Sequence, residues 1–314
     1  MSISKAASST SSSRRFALGF AVTVAALLVT AAVATELLVR RQIEPHHNYL
    51  KYLRLFKSTQ ARDAAFGSSI TVGGFTGQPG FVNMGFGGEP LNFIVHKLKM
   101  FYADRKPGRV ILQGSFMEFS DSFWTQLNRD NTDEFESMMS ADDPTRLRIL
   151  NPMHRASLLL YWRTMLADGG FEPSAKFQPD GSRLNSERYS DQPADVRAMA
   201  ARQTARSWRL PQNPEKSPAA TVMADAIRHV RAKGGEVCIV SYPVTASLYR
   251  ELLKSPNFDR IPAALAHIAD TEGARYVNML DHGMPDEYFV DDVHINGDGA
   301  RAISPEIVSR CFGS

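Results

Sequence analysis

A serine hydroxyl is a weak nucleophile at neutral pH and needs a base to take its proton. This chain offers a base near its end, in Tyr288-Phe-Val-Asp-Asp-Val-His-Ile-Asn-Gly-Asp-Gly-Ala300. Asp291 stands three residues before His294, so its carboxylate can reach one imidazole nitrogen. That contact would fix the tautomer and leave the other nitrogen open to a proton. Asp292 competes for the role but, two residues away, is less well placed to support the ring. The bland alternative is that Asp291 and His294 only cap the last helix. The hydroxyl would come from far upstream, in Phe66-Gly-Ser-Ser-Ile-Thr71, where Ser68 and Ser69 are both candidates. His96, His154, His229, His267 and His282 carry no partner pattern, and the His46-His47 pair sits in a polar linker. Nothing has zinc-ligand spacing or suits two metals, and no cofactor is called for.

Such groups work only if a fold brings them together. Short apolar runs at Ala64–Phe66, Phe81–Met84, Arg109–Gln113, Val237–Ser241 and Arg275–Met279 read as strands. Helical spacing marks Pro90–Asp104, residues 218–233, Ile261–Thr271 and Gly299–Cys311. Strands alternating with helices predict a parallel sheet covered on both faces, with its site on the turns that follow the strands. Ser69, Gly88 and His294 all fall on segments after predicted strands. Residues 116–217 break the rhythm with acidic clusters, helical apolar patches and all three tryptophans, Trp124, Trp162 and Trp208. This stretch reads as a helical insertion. Its tryptophans either cap the site, stacking on sugar or acyl groups, or pack the insertion onto the core.

Together the two blocks resemble the SGNH (GDSL-like) hydrolase superfamily, in its membrane-anchored Gly-Ser-Ser variant. Gly67-Ser68-Ser69-Ile70 stands where the family has Gly-Asp-Ser-aliphatic, which gives Ser69 the nucleophile position. Asp291-Asp292-Val293-His294 matches the family's Asp-x-x-His, and Asn83-Met84-Gly85-Phe86-Gly87-Gly88 its glycine block. The third block is not met, because Phe116 stands where an Asn belongs. The resemblance covers roughly residues 62–115 and 218–312 and implies a flavodoxin-like three-layer sandwich with a parallel sheet of about five strands. It implies a Ser69–His294–Asp291 triad, with the backbone N–H groups of Ser69 and Gly88 as the oxyanion hole. Asn92 and Gln113 are substitutes for the absent Asn, Asn83 holds the glycine turn, and Gly85 and Gly87 serve positive φ. The implied activity is ester hydrolysis or O-acyl (acetyl) transfer on a cell-envelope or secreted glycan. A reading of another class is a catalytically weak glycan-binding or scaffold module of an envelope assembly complex.

The N-terminus sets the location. A Ser-rich head with Lys5, Arg14 and Arg15 precedes an apolar run from Phe16 to Ala34 that Leu37-Leu38-Val39 extends, about the length that crosses a bilayer. The expected layout is a cytoplasmic head (1–15), a signal anchor (16–39), a juxtamembrane linker or short helix (40–60) and a catalytic domain (61–314). A cleaved signal peptide ending near Ala32-Val33-Ala34 competes with the anchor. The basic head favours an inner-membrane protein with its bulk in the periplasm. The net charge of +3 is uneven: residues 1–60 hold eight Lys/Arg and two Asp/Glu, which leaves about −3 for the rest. Nothing therefore points to nucleic acid. The expected partners are the ester substrate, the membrane and other envelope-biosynthesis proteins. Cys238 sits in an apolar run and reads as a buried small hydrophobe, although an exported chain could pair it with Cys311.

Overall fold

The computed structural model describes residues 9–43, 48–121 and 175–313. The chain divides into one unit of residues 1–51 and 140–172 and a second of residues 52–139 and 173–314. In the first unit, α1 (Ser9–Leu38) runs into a π-helical turn at Val39–Ile43. Residues 15–42 are long and apolar enough to cross a membrane. Phe16, Leu18, Phe20 and Leu27 lie exposed along this helix. Thr23 and Thr30 donate to the carbonyls of Gly19 and Ala26, so these hydroxyls are satisfied within the helix.

The second unit is built on a five-stranded parallel sheet. Its strands are β1 (Asp63–Phe66), β2 (Phe81–Asn83), β3 (Arg109–Gln113), β6 (Glu236–Ser241) and β7 (Arg275–Asn278), ordered β2-β1-β3-β6-β7. Counted within the sheet alone this is the flavodoxin-like order 2-1-3-4-5. The inner strands β1, β3 and β6 are buried along nearly their whole length because both faces are covered, whereas the edge strand β7 buries only Val277. Ala65, Ile111, Cys238 and Val240 share one core with α10 (Gly297–Phe312). Side chains of opposite parity meet the other layer: Phe66 packs edge-on against Phe101 of α4 (Leu91–Phe101). Ahead of α4 in sequence lie α2 (Asn48–Ser58) and α3 (Ser69–Gly74), and between α4 and α10 lie α5 (Phe116–Phe119), α6 (Ala194–Ser207), α7 (Pro218–Ala232), α8 (Ala246–Leu252) and α9 (Arg260–Glu272).

Three features depart from the sequence reading. The core reaches back into the segment read as a linker: Tyr52, Leu53 and Phe56 of α2 are buried, and Tyr52 packs against Phe86. Their spacing puts them on one helix face, which α4 and the glycine turn cover. Cys238 is buried as expected, but it is also joined to Cys311, which ties β6 to α10. The described part of the insertion is not wholly helical. It holds an antiparallel hairpin, β4 (Ala175–Phe177) with β5 (Arg183–Asn185), ahead of α6. Gly181 at its turn has φ +93°, and any Cβ there would strike the carbonyl of Asn83, so the hairpin needs glycine to lie against β2. Trp124 and Trp162 lie outside the described residues.

Candidate active site

Ser69 opens α3 directly after β1, and Gln113 ends β3, the neighbouring strand. The sheet order reverses between these two strands, so the turn sits at the topological switch point where open α/β sheets hold their ligands. Gln113 is buried and organises the turn from beneath. Its Oε1 accepts from the backbone N–H of Ser68 at 3.0 Å and of Thr71 at 3.2 Å, and from the Thr71 hydroxyl at 2.9 Å. Its Nε2 donates to the Ser68 hydroxyl at 2.9 Å and to Glu118 Oε1 at 2.5 Å. A Cβ on Gly67 would collide with Thr71 Oγ1 and the Gln113 side chain, so glycine is what lets this amide close under the turn. The two serines are thereby separated. Ser68 is turned inward onto Gln113, and Ser69 Oγ lies 2.8 Å from His294 Nε2.

The acid–base arm comes from the loop between β7 and α10. An antiparallel bridge between Phe289 and Ile295 pinches this loop, with Val290 N–H donating to the His294 carbonyl at 2.7 Å. Inside the pinch, Asp291 Oδ1 accepts from the backbone N–H of Val293 (2.9 Å) and His294 (2.7 Å), an Asx turn. Its other oxygen, Oδ2, meets His294 Nδ1 at 2.7 Å. The three-residue spacing thus serves backbone and side chain together. Burial would raise the Asp291 carboxyl, but the His294 ring and the two backbone donors outweigh it and hold the group below the usual range. The cap of α10 is a different residue: Asn296 accepts from Asp298 N–H and Gly299 N–H. The helix-cap reading of Asp291 and His294 is therefore not what the chain does.

The glycine block wraps the other side of Ser69. Asn83 Oδ1 accepts from Gly85 N–H at 2.8 Å, and its Nδ2 donates to the carbonyls of Thr71 and Phe75. Asn83 therefore ties the glycine turn to α3. Gly85 and Gly87 do not adopt positive φ. Gly85 is needed for close approach, since its Cβ would stand 2.8 Å from Val72 N, and it is Gly88 that has φ +80°. Gly88 and Ser69 line the same cavity. As the first residue of α3, Ser69 has no intrahelical acceptor for its N–H. Phe116, in place of the family's Asn, is buried and packs edge-on against Phe258. Gln113 is committed beneath the turn, and Asn92 Oδ1 accepts from Phe93 N–H. Neither side chain lines the cavity.

The cavity has a volume of ≈ 300 Å³. Beyond the triad serine and histidine it presents three acids, Glu89, Glu118 and Asp292, together with Thr204, Ser207 and Trp208. Burial pushes the Glu118 carboxyl up to about 7, although Gln113 and the N–H of Ser115 favour its charged form. Burial also lifts Glu89 to about 7 against the pull of Lys97, the fully buried amine it pairs with. Asp292 is raised by burial and by the neighbouring charge of Asp291, with a hydrogen bond from Thr204 opposing. Glu89 Oε1 and Asp292 Oδ2 are buried without a hydrogen-bond partner among the described residues. Sequence reasoning weighed Asp292 only as a rival orienter and missed both glutamates. Glu118 had a signal: Ser115-Phe-Met-Glu118 is a capping box, and the structure closes it. Glu89 had none, since nothing local announces that Lys97 will meet it in the core.

The chain matches no protein-family model and no curated protein. Among solved structures it is similar to a candidate acylhydrolase from Bacteroides fragilis, at 11% identity and a TM-score of 0.40, over 82% of this chain and 94% of that one. It is likewise similar to a GDSL-like lipase from Bacteroides thetaiotaomicron, at 12% identity and a TM-score of 0.40, over 83% of this chain and 97% of that one.

Proposed function

We propose that this chain is a serine-dependent acyl-ester hydrolase or O-acyl (acetyl) transferase acting on a cell-envelope or secreted glycan. The reading is carried by one observation, the continuous relay from Asp291 through His294 to Ser69, with contacts of 2.7 and 2.8 Å. His294 Nε2 takes the Ser69 proton as Oγ attacks the ester carbonyl, and Asp291 supports the resulting imidazolium. The tetrahedral oxyanion is met by the N–H groups of Ser69 and Gly88. Collapse expels the alcohol, which receives its proton from His294. Water then releases the acyl group as an acid, or a sugar hydroxyl takes it as a new ester. With Phe116 in place of an Asn, the hole has two donors, and losing one such donor typically lowers the rate about 10²–10³-fold.

The same reading puts residues 16–39 across the inner membrane and the catalytic unit, from residue 52 on, in the periplasm. The Cys238–Cys311 bond supports it, since disulfides persist in oxidising compartments. The test uses the full-length protein in detergent with a chromogenic acetyl ester, with and without a glycan acceptor. A fluorophosphonate probe should label Ser69, and Ser69→Ala should abolish the labelling. No acyl-enzyme and no turnover would leave the glycan-binding or scaffold module as the better reading.

A further inference from the structure

We propose that a basic groove beside the triad cavity binds the anionic units of a carboxylate-, phosphate- or sulfate-bearing polysaccharide and so holds its ester-bearing unit over Ser69. This rests on the acyl-ester reading of the triad and names the substrate class.

α6 and the two residues after it present two sets of side chains. Thr204, Ser207 and Trp208 line the triad cavity. Arg202, Arg206 and Arg209, spaced i, i+4 and i+7, line a separate cavity of ≈ 480 Å³ together with Lys254. An adjoining cavity of ≈ 390 Å³ shares Arg202 and Lys254 and adds Arg250. The two form one groove between α6 and the α8 end. Glu251 is the one acid among its lining residues, and it is already paired with Lys254 at 2.7 Å. Arg202, Arg206 and Arg209 make no ion pair among the described residues.

Glu251 also feels the charges of Arg202 and Arg206, yet five cations, Arg202, Arg206, Arg209, Arg250 and Lys254, face this single carboxylate among the described lining residues. The second unit is not basic as a whole: its 26 Lys/Arg and 27 Asp/Glu give a net charge of −1. The positive field is therefore local, and arginine forks suit carboxylate, phosphate and sulfate oxygens. Trp208 lines both the groove and the triad cavity, so the two lie on either side of one side chain. Thr204 and Arg206 are about 3 Å apart along the axis of α6 but about 200° apart around it, so a polymer that reaches both has to cross the helix beside Trp208. The triad cavity itself holds acids, including two carboxylate oxygens without partners among the described residues. It suits a ligand that brings neutral hydroxyl groups. The substrate this arrangement fits has a neutral acylated unit at Ser69 and anionic units on its flank.

The test again uses the full-length chain in detergent. Binding of fluorescent polygalacturonate to Ser69→Ala is measured by anisotropy across a salt series, with dextran as the neutral comparison and anionic phospholipid vesicles as the membrane comparison. Polygalacturonate should bind at low salt and weaken steadily as salt rises, and dextran should not bind. Arg202→Glu/Arg206→Glu in the same background should lose about tenfold or more in affinity, and Arg202→Gln/Arg206→Gln less. With Ser69 intact, Arg202→Glu/Arg206→Glu should turn over the small acetyl ester at the parent rate. On acetylated polygalacturonate it should raise KM with little change in kcat. Equal binding by parent and charge-reversed protein, binding of dextran as strong as of polygalacturonate, or binding confined to the vesicles would overturn the proposal. Should the small ester not be turned over at all, the acyl-ester reading falls, and the anisotropy series still decides the groove.

Discussion

Breaking the Cys238–Cys311 bond should both destabilise the protein and disarm it, in a fixed order. The bond closes a loop of 73 residues between the inner strand β6 and the closing helix α10. In the chain-entropy account, a loop of that length is worth about 4 kcal/mol against the unfolded state at 25 °C. For a domain of this size about 1 kcal/mol shifts the midpoint by 2–4 °C, so reduction should lower Tm by roughly 8–16 °C. Both sulfurs are buried, so Cys238→Ala/Cys311→Ala adds a small loss of packing to the same figure. The functional consequence follows from position. α10 begins at Gly297, three residues after His294, whereas Ser69 opens α3 directly after β1, in a turn that Gln113 of β3 holds through the N–H groups of Ser68 and Thr71. Loosening α10 therefore displaces the base before the nucleophile. Turnover and tryptophan fluorescence, followed through a urea series with and without reductant, read both effects. In the reduced protein, ester turnover should fail at lower urea than global unfolding, and in the oxidised protein the two should coincide. Identical midpoints with and without reductant would refute the reasoning.

Four further outcomes are expected. Ser69→Ala, His294→Ala and Asp291→Asn should each depress ester turnover without changing the fold, and Ser69→Ala/His294→Ala should be little worse than Ser69→Ala alone; multiplicative losses would show that the groups do not act together. Ser68→Ala should be milder, because its hydroxyl serves Gln113 rather than His294. Gln113→Leu strips partners from Ser68 N–H, Thr71 N–H and Glu118, at about 1–3 kcal/mol for each buried group left unpaired, so calorimetry should show a large loss of stability together with reduced turnover. Lys97→Met should be strongly pH-dependent. The folded pKa of Glu89 is raised to about 7, so its stabilising contribution is full below the unfolded value of 4.5 and is lost as pH rises through 7. Without Lys97 the charged carboxylate stays buried and alone, a penalty of about 3–5 kcal/mol at pH 8 that should shrink toward pH 5; an unchanged penalty across that range would contradict the pairing. Finally, a periplasm-dependent reporter fused after Ser314 should be active and a cytoplasmic one silent, and the reverse would overturn the envelope reading.

What the sequence determined by itself was whatever depends on neighbours along the chain. Hydrophobic runs in β3 and β6 can be satisfied only by burial on two faces, and that predicts a parallel sheet before any contact is known. The Asp291–His294 pairing is a three-residue affair, closed by an Asx turn within its own loop. The turn from Asn83 onto Gly85 N–H is likewise local, although Gly88 rather than Gly85 or Gly87 takes the positive φ. Tertiary structure alone decided the rest. It chose Ser69 over Ser68 because Gln113, forty-five residues away, takes the Ser68 hydroxyl for itself. It drew α2 into the core, since an apolar helix face is silent about what will cover it. It set Glu89 on Lys97 and lifted Glu118 and Asp292 toward their neutral forms, because desolvation depends on everything that surrounds a group, and no stretch of sequence records its surroundings.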